Sequence, residues 1–417
     1  MNHPADEQTS QQTSEQTPYP PLNPRSRFRL AILFVIFFVI SLLTNMTGPL
    51  LPDIIRDFHL SLTMAAFLPF SFFIAYAVMS VPAGIIIERW GDKRVLIGSF
   101  ALALCGSLLF SLMPVYRTAI LSLFIIGLGM AALQVVINPL LRVSGGEEHF
   151  AFNAVLAQLI FGSASFLSPL IYSYFVLSEG LPWVSMYWIF SALTLSMIVL
   201  ILFVRFPRVE RTEDEKVGPL KTHFDLLRRP VVWLYFLGIF SYVGLEQGLS
   251  NWMSQFLSLQ HGFNPEIEGA TAVSRFWGAI TIGCFLGLLL LKFFDSRKVL
   301  LGFSAVAFVA LGAAIFGSAP TALLAFPLVG FSISVMWSII FSLALNSLDK
   351  HHGTFSGILC TGIVGGALVP LLIGWLGDSF SLRAGLCFLF LPLLYIFLMG
   401  LWAQPLIRNK TVQIVRD

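Results

Sequence analysis

The stretch Gly84-Ile-Ile-Ile-Glu88-Arg89-Trp90-Gly91-Asp92-Lys93-Arg94 recurs in a weaker form as Gly287-Leu-Leu-Leu-Leu291-Lys292-Phe293-Phe294-Asp295-Ser296-Arg297-Lys298. Each copy joins two apolar runs, so the 417-residue chain is expected to consist of two related halves. Duplicated apolar units usually meet at a substrate path near the middle of a bilayer. The repeat therefore predicts a membrane protein built from two homologous bundles.

The composition is that of a bilayer protein. Hydrophobic residues make up 57% of the chain and charged residues 11%, whereas a soluble domain carries about 25% charged residues. About twelve apolar runs have the ~20 residues needed to cross a membrane. Because backbone inside lipid must satisfy its own hydrogen bonds, these runs are expected to be helices. The predicted fold class is an all-α membrane protein with twelve transmembrane helices in two six-helix pseudo-repeat bundles.

The polar segments give the predicted domain boundaries. Residues 1–27 lack an apolar period and are predicted to form a disordered cytoplasmic tail. The first bundle is predicted to span residues 28–206 and the second residues 231–406, with 207–230 as a solvated cytoplasmic linker and 407–417 as a second cytoplasmic tail. The first apolar run, Phe28 to Pro52, is long enough to remain in the membrane, which argues against a cleavable signal peptide.

The basic residues predict the orientation. All but four of the 25 Lys and Arg residues fall on one face if both termini are cytoplasmic. Arg56, Arg117 and Arg383 fall on the other face, and Arg275 falls inside a span. This asymmetry follows the positive-inside rule and predicts a multi-pass protein of a bacterial inner membrane. The formal net charge of +3 thus reflects topology and does not indicate a nucleic-acid surface.

The sequence contains no motif that indicates an enzyme. The His residues lie in loops, in the tail or at span ends, and Cys105, Cys284, Cys360 and Cys387 lie in apolar runs without a C-x-x-C pair, so packing is their expected role. The sequence contains no phosphate-binding P-loop and no G-x-S-x-G motif. We expect a protein that is not an enzyme, needs no metal or cofactor, and uses an ion or substrate gradient.

The first copy of the repeat resembles the G-x-x-x-[DE]-R-x-G-[RK]-[RK] signature of the major facilitator superfamily, through Gly84, Glu88, Arg89, Gly91, Lys93 and Arg94. The resemblance implies a secondary transporter that works by alternating access, with an inner gate at these residues. A glycine lets two helices approach closely, while the acid and the basic cluster form ion pairs that hold one conformation and break in the other. A basic loop that only sets topology is the alternative.

Three further stretches resemble the branch of this superfamily that contains fucose and glucose/galactose symporters. They are Leu133-Gln134-Val135-Val136-Ile137-Asn138-Pro139, Tyr242-Val243-Gly244-Leu245-Glu246 with Trp252, and the pattern Gly365-Gly366-Ala367, Pro370, Gly374 and Asp378. The resemblance implies a monosaccharide substrate that moves with a proton or a sodium ion. The alternative is the same fold moving another small organic solute or drug, with uniport left open.

The sequence departs from that branch at its charged positions. Gln134 stands where the branch has Glu, Met46 stands where an acid is usual, and Cys284 stands where an Arg is usual. Glu246 and Arg275 are the charged residues that remain inside the predicted spans. Two interpretations stay open: Glu246 and Arg275 take part in ion coupling, or they form an ion pair that only fixes helix packing.

The predicted binding site combines neutral amides with aromatic rings. Helical rise places Asn45 and Glu246 at similar depths, and Gln134 and Gln158 at a second shared depth. Amides suit the hydroxyls of a sugar and an indole suits its C–H surface, although a helix-to-helix hydrogen bond is the alternative for any single amide. The predicted substrate-binding residues are Asn45, Gln134, Gln158, Glu246, Asn251, Trp252, Trp277 and Trp337. The expected partners are a small-molecule substrate, a proton or sodium ion and the bilayer, and the protein is expected to be a monomer.

Overall fold

The structure is a computed structural model that describes residues 24–145, 150–206, 220–348 and 352–404. Within these ranges, 12 helical segments are long and apolar enough to cross a membrane. The regular structure of the described residues is helical throughout. The prediction of an all-α protein with twelve transmembrane helices is confirmed.

The described helices of the first half are numbered in chain order. They are α1 Pro24–Asn45, α2 Thr47–Phe58, α3 Leu62–Trp90, α4 Asp92–Leu112, α5 Tyr116–Gly145, α6 Phe150–Ser173 and α7 Ser185–Phe203. Spans 1 to 6 follow from them, with α1 and α2 together forming span 1. A π-helical turn, Tyr174–Ser178, extends span 5 beyond α6.

The second half is more often interrupted. Its described helices are α8 Leu220–Leu227, α9 Pro230–His261, α10 Ala270–Phe293, α11 Ser296–Phe316, α12 Ala319–Ile333, α13 Met336–Leu345, α14 His352–Thr361, α15 Gly365–Ser379, α16 Leu382–Cys387 and α17 Phe390–Trp402. A π-helical turn, Pro265–Gly269, begins span 8, and a 3₁₀ turn, Gly362–Val364, joins the two helices of span 11. Spans 10, 11 and 12 each consist of two helices, whereas α9 crosses as one helix.

The short connections define the two faces of the bundle. We call the face that carries residues 59–61, 113–115, 262–264 and 380–381 the distal face. We call the opposite face, from which the chain leaves the first half at 204–206, the linker face. Because the spans alternate in direction, Pro24 and the end of α17 both lie on the linker face. The positive-inside rule predicts that the linker face is cytoplasmic.

Span 1 begins where it was predicted and extends further than predicted at its distal end. The apolar span begins at Arg27, one residue before the predicted Phe28, and continues to Phe58 instead of ending near Pro52. Residues 24–27, which were assigned to the tail, form the first turn of α1. The span breaks after Asn45, because Pro49 has no N–H to donate to the carbonyl of the residue four positions earlier. Discontinuous spans of this kind often border a transport path.

The predicted linker contains one helix in its described part. Residues 220–227 form α8, where a solvated linker was expected. Residues 1–23, 207–219 and 405–417, which hold most of the predicted tails and linker, lie outside the described residues. The predicted bundle boundaries therefore stay predictions.

The described contacts between the two halves are most extensive between α3 and α15, between α6 and α10, and between α2 and α9. Small residues allow these close crossings. A Cβ atom on Gly48 would lie 2.5 Å from the carbonyl oxygen of Ser250, and a Cβ atom on Gly162 would overlap Thr281. Glycine is therefore required at both crossings in this conformation.

Candidate functional site

A cavity of about 380 Å³ lies between spans 5 and 10, near the linker face. Its lining residues are Gln158, Trp337, Ser338, Phe341, Ser342, Leu345 and Asn346. The rings of Trp337 and Phe341 are stacked, with centroids 5.8 Å apart and an angle of 21° between their planes. An aromatic surface surrounded by hydroxyl and amide groups suits a small polar molecule with an apolar face.

The break in span 10 positions this lining. Helix α12 ends at Ile333 and α13 begins at Met336, which places Trp337 in the first turn of the new helix. The polar residues that this segment contributes to the cavity lining are Ser338, Ser342 and Asn346. They follow one another at intervals of four positions and thus share one face of the helix. Trp337 was predicted from the sequence, but these three residues were not, although their spacing in an apolar span is a detectable signal.

Glu246 is half-buried on α9 and is held by two neutral donors. The hydroxyl of Tyr242 donates a short hydrogen bond to one carboxylate oxygen, and Nε2 of Gln247 donates to the other at 3.0 Å. Among the residues whose side chains are described, every ion pair involves Arg56, so Glu246 has no cationic partner there. The ring of Tyr242 lies 6.0 Å from that of Trp337. The carboxylate is thus connected through Tyr242 to the wall of the cavity.

Arg275 does not approach Glu246. It is exposed on α10, on the same face as the exposed Ile282 and Leu286, and it takes part in none of the ion pairs just described. The possible Glu246 to Arg275 ion pair is therefore not formed in this conformation, while a part for Arg275 in ion coupling stays a prediction. Depth along the two helices is compatible with such a pair, but Arg275 points away from α9.

Cys284 lies on the opposite face of α10 from Arg275. It lies within electrostatic range of Glu246 and Tyr242, and its Sγ donates to the carbonyl of Ser334 at 3.2 Å. The resemblance described from the sequence implies an Arg at this position. The substitution leaves Glu246 beside a neutral side chain.

Four predicted binding residues are buried between helices and do not line the cavity. Nδ2 of Asn45 donates to Oγ of Ser165 at 2.9 Å, while its Oδ1 has no partner among the described residues. The other three make interhelical or intrahelical hydrogen bonds, from Asn251 to the Gln247 carbonyl at 2.8 Å, from Trp252 to the Pro370 carbonyl at 3.0 Å and from Trp277 to Oγ of Ser250 at 3.1 Å. Gln134 is half-buried on α5 and is likewise absent from the cavity lining. Of the predicted set, Gln158 and Trp337 line the cavity directly.

The sequence of residues 33–363 matches the profile of the Major Facilitator Superfamily. The chain belongs to this superfamily. It is therefore a multi-pass membrane transporter and not an enzyme, as the sequence predicted.

Similar proteins of the superfamily include sugar transporters. A glucose/galactose transporter of Brucella abortus (strain 9-941) is 29% identical over 391 residues, covering 90% of this chain and 93% of the relative. The L-fucose-proton symporter of Escherichia coli is 26% identical over 385 residues, covering 84% and 86%. The crystal structure of the E. coli fucose:proton symporter matches with a TM-score of 0.68 at 22% identity, over 91% of this chain and 99% of that chain. A bacterial homologue of the lysosomal transporter Spinster, in an inward-facing unoccupied conformation, matches with a TM-score of 0.71 at 16% identity, over 91% and 98%.

The transporter is closed at its distal face by contacts between the halves. The carboxylate of Asp378, at the end of α15, accepts the backbone N–H groups of Leu62 and Thr63 at 2.8 and 2.7 Å, and thus caps the first turn of α3. The guanidinium of Arg56 on α2 lies 3.5 Å from the carboxylate of Glu266 at the start of span 8. Neither contact was predicted from the sequence. Because the cavity lies near the opposite face, we describe this conformation as open toward the linker face.

Arg56 is itself fixed within the first half. It lies 2.5 Å from the buried carboxylate of Asp53 and 3.3 Å from Asp57. The hydroxyl of Tyr172 donates to Asp53 by a short hydrogen bond, and the indole of Trp183 donates to Asp57 at 2.6 Å. Asp53 is therefore part of the distal closure, at some distance from the cavity.

The predicted inner gate lies on the linker face. Gly84 is buried, and Gly91 has a φ of 81°, which favours glycine at the turn between α3 and α4. Nζ of Lys93 donates to the carbonyl of Leu202 at 2.8 Å, at the end of α7. Arg89 and Arg94 are exposed and take part in none of the described ion pairs, while the side chain of Glu88 lies outside the described part of the structure. The predicted gate residues are thus on the open side of this conformation, and their role as a gate stays a prediction.

Proposed function

We propose that the protein imports a monosaccharide together with a proton by alternating access. One observation carries this proposal: the aromatic wall of the cavity, Trp337, contacts Tyr242, which donates to the carboxylate of Glu246. A substrate that changes the position of Trp337 therefore acts on the hydrogen bond that holds Glu246. Such a contact gives substrate binding a physical route to the ion-binding group.

A monosaccharide fits the chemistry of the cavity. Its hydroxyls would exchange hydrogen bonds with Gln158, Ser338, Ser342 and Asn346, while its C–H face would pack on Trp337. The volume of about 380 Å³ lies at the lower end of the range for small-molecule sites. The names of the relatives, a glucose/galactose transporter and an L-fucose-proton symporter, support the same class of substrate.

A proton fits the surroundings of Glu246 better than a sodium ion does. An ionised carboxylate inside a bundle is costly unless a positive charge neutralises it, and here its described partners are the neutral Tyr242 and Gln247. A bound proton removes the charge without further ligands. A metal cation is usually held by several oxygen ligands, and the described partners of Glu246 provide no such set.

We further propose that the linker face is cytoplasmic, with both termini in the cytoplasm and the protein in a bacterial inner membrane. The excess of Lys and Arg on this face supports the orientation. In this orientation, the residues from Gly84 to Arg94 would form the inner gate, and their ion pairs would close when the cavity turns outward. A monomer remains our expectation for the functional unit.

Counterflow in proteoliposomes tests the proposed substrate. Vesicles loaded with one unlabelled monosaccharide at a time are expected to show transient, saturable uptake of the same labelled sugar, with no ion gradient imposed. Replacing Trp337 by Leu removes the stacking surface and is expected to raise the half-saturating sugar concentration about three- to tenfold. The readout is the initial rate of exchange against sugar concentration.

Trp188→Leu is the matched control, because Trp188 is exposed on α7 and does not line the cavity. This variant is expected to keep the wild-type half-saturating concentration. Exchange of another small organic solute, with every monosaccharide inactive, would contradict the sugar assignment. Uptake that rises linearly with concentration would contradict alternating access.

A further inference from the structure

Arg275 is placed on the outside of the bundle. The exposed residues Ile282, Leu286 and Leu289 follow it by 7, 11 and 14 positions and share its helical face. The buried Trp277 and the half-buried Cys284 lie on the opposite side of α10. The face that Arg275 occupies is therefore the one that meets the acyl chains of the bilayer.

The depth of Arg275 brings its guanidinium near the distal headgroups. Helix α10 begins at Ala270 on the distal side, so the Cα of Arg275 lies about 8 Å further into the membrane. Side chains tilt toward the N-terminus of their helix, which here is the distal end. A long Arg side chain that keeps its stem in the apolar region therefore extends its charge toward the headgroup level.

The neighbouring acids of span 8 are already engaged elsewhere. Glu268, seven positions earlier, accepts the backbone N–H of Asn264 at 2.9 Å, and Glu266 pairs with Arg56 at 3.5 Å. Arg275 has no ion pair or hydrogen bond with any residue whose side chain is described. Arg275 is therefore free to bind an anion outside the described chain, and a planar guanidinium matches a phosphate through two parallel hydrogen bonds.

The position also provides a surface for an acyl chain. Oγ of Ser274 donates to the carbonyl of Phe166 at 2.7 Å, which brings α10 against α6 at this level. Phe166, Leu167 and Leu170 of α6 are exposed apolar residues along the same stretch. We infer that Arg275 binds the phosphate of an anionic phospholipid in the distal leaflet, with a lipid tail along the seam between α6 and α10. This site is separate from the proposed sugar and proton site.

Thermal unfolding of the purified full-length protein in detergent tests this site. Dioleoylphosphatidylglycerol is added to the micelles in one series and dioleoylphosphatidylcholine in another, and unfolding is followed by tryptophan fluorescence. Wild type is expected to gain about 3 °C more from the anionic lipid than from the zwitterionic lipid. Arg275→Gln is expected to lose at least half of that difference, and Arg275→Lys, which keeps the charge without the planar fork, is expected to retain part of it.

Arg117→Gln is the control, because Arg117 is an exposed Arg at the distal start of α5. It is expected to keep the full difference between the two lipids. An equal loss in Arg117→Gln would show general attraction to surface charge and overturn the site, as would an unchanged response of Arg275→Gln. Native mass spectrometry of wild type and Arg275→Lys gives a second measurement. Fewer bound phosphatidylglycerol molecules in the variant would support the site. A change from dimer to monomer would instead assign Arg275 to a contact between two copies.

Discussion

Replacement of Glu246 by Gln is expected to abolish the accumulation of sugar while sugar exchange continues. The amide keeps nearly the shape of the carboxyl group. The ring contact between Trp337 and Tyr242 and the hydrogen bond from Tyr242 to residue 246 are therefore largely retained. The amide cannot gain or lose a proton at an accessible pH. Sugar binding and the movement of the two halves therefore persist, but the proton gradient no longer drives the cycle.

The size of the effect follows from the imposed gradient. One pH unit corresponds to about 1.4 kcal/mol, so symport of one proton with one sugar supports about tenfold accumulation across a one-unit gradient. Wild-type proteoliposomes are expected to approach this ratio, and Glu246→Gln vesicles are expected to stop near equal concentrations. The measurement is the steady-state ratio of labelled sugar inside and outside, combined with counterflow on the same vesicles.

Glu179→Gln is the matched control, because Glu179 is an exposed carboxylate of the distal face. It should accumulate sugar like wild type. Full accumulation by Glu246→Gln would show that another group couples the ion. Loss of both accumulation and counterflow would assign Glu246 to substrate binding or folding instead.

Replacement of Asp378 by Ala is expected to open the distal face. In the wild type, the carboxylate of Asp378 lies in the second half and caps α3 in the first half. It accepts two charge-assisted hydrogen bonds from the N-terminal N–H groups of α3. We estimate this interaction at about 1–2 kcal/mol, which corresponds to a change of about five- to thirtyfold in the ratio of distal-open to distal-closed molecules. The variant should also exchange sugar more slowly, because the distal-closed state becomes harder to reach.

Distances between spin labels measure this shift. Labels at Val115 and Ile267 lie on exposed distal positions of the two halves, in a background without the native cysteines. Asp378→Ala is expected to increase the population of the longer distance. Glu179→Gln is the control, because the described partner of Glu179, Tyr174, also lies in the first half and neither residue is a described partner of Arg56. Equal distance distributions in wild type and Asp378→Ala would remove Asp378 from the distal closure.

Much of the architecture was predictable because bilayer physics leaves few alternatives. The length of each apolar run fixed the number of spans, and the repeat with its family signature indicated the two bundles. The distal end of span 1 was less predictable, since Phe58 follows the charged residues Asp53, Arg56 and Asp57, before which a hydropathy criterion ends the span. The break after Asn45 depends on Pro49, which is visible in the sequence but has several possible structural outcomes.

The candidate site was predictable in part. Glu246 was singled out correctly as an intramembrane carboxylate, and Gln158 and Trp337 lie together at the cavity. The possible ion pair between Glu246 and Arg275 is not formed. The position of a residue along its helix gives its depth in the membrane, but it does not show which neighbouring helix the side chain faces. Asn45, Asn251, Trp252 and Trp277 are closed off by helix contacts in this conformation, and contacts between halves are not encoded in any local pattern. The contacts of Asp378 and Arg56 across the distal face were missed for the same reason.

The central claim is that sugar and proton cross together, and the external pH of a weakly buffered vesicle suspension tests it most directly. Sugar is added to wild-type proteoliposomes without any imposed gradient, in sodium-free medium, and the pH is recorded while labelled sugar uptake is measured. The account predicts a sugar-dependent alkalinisation of the medium that follows sugar entry and is absent in Glu246→Gln. Sugar entry with no change in pH, or entry that requires added sodium, would contradict it.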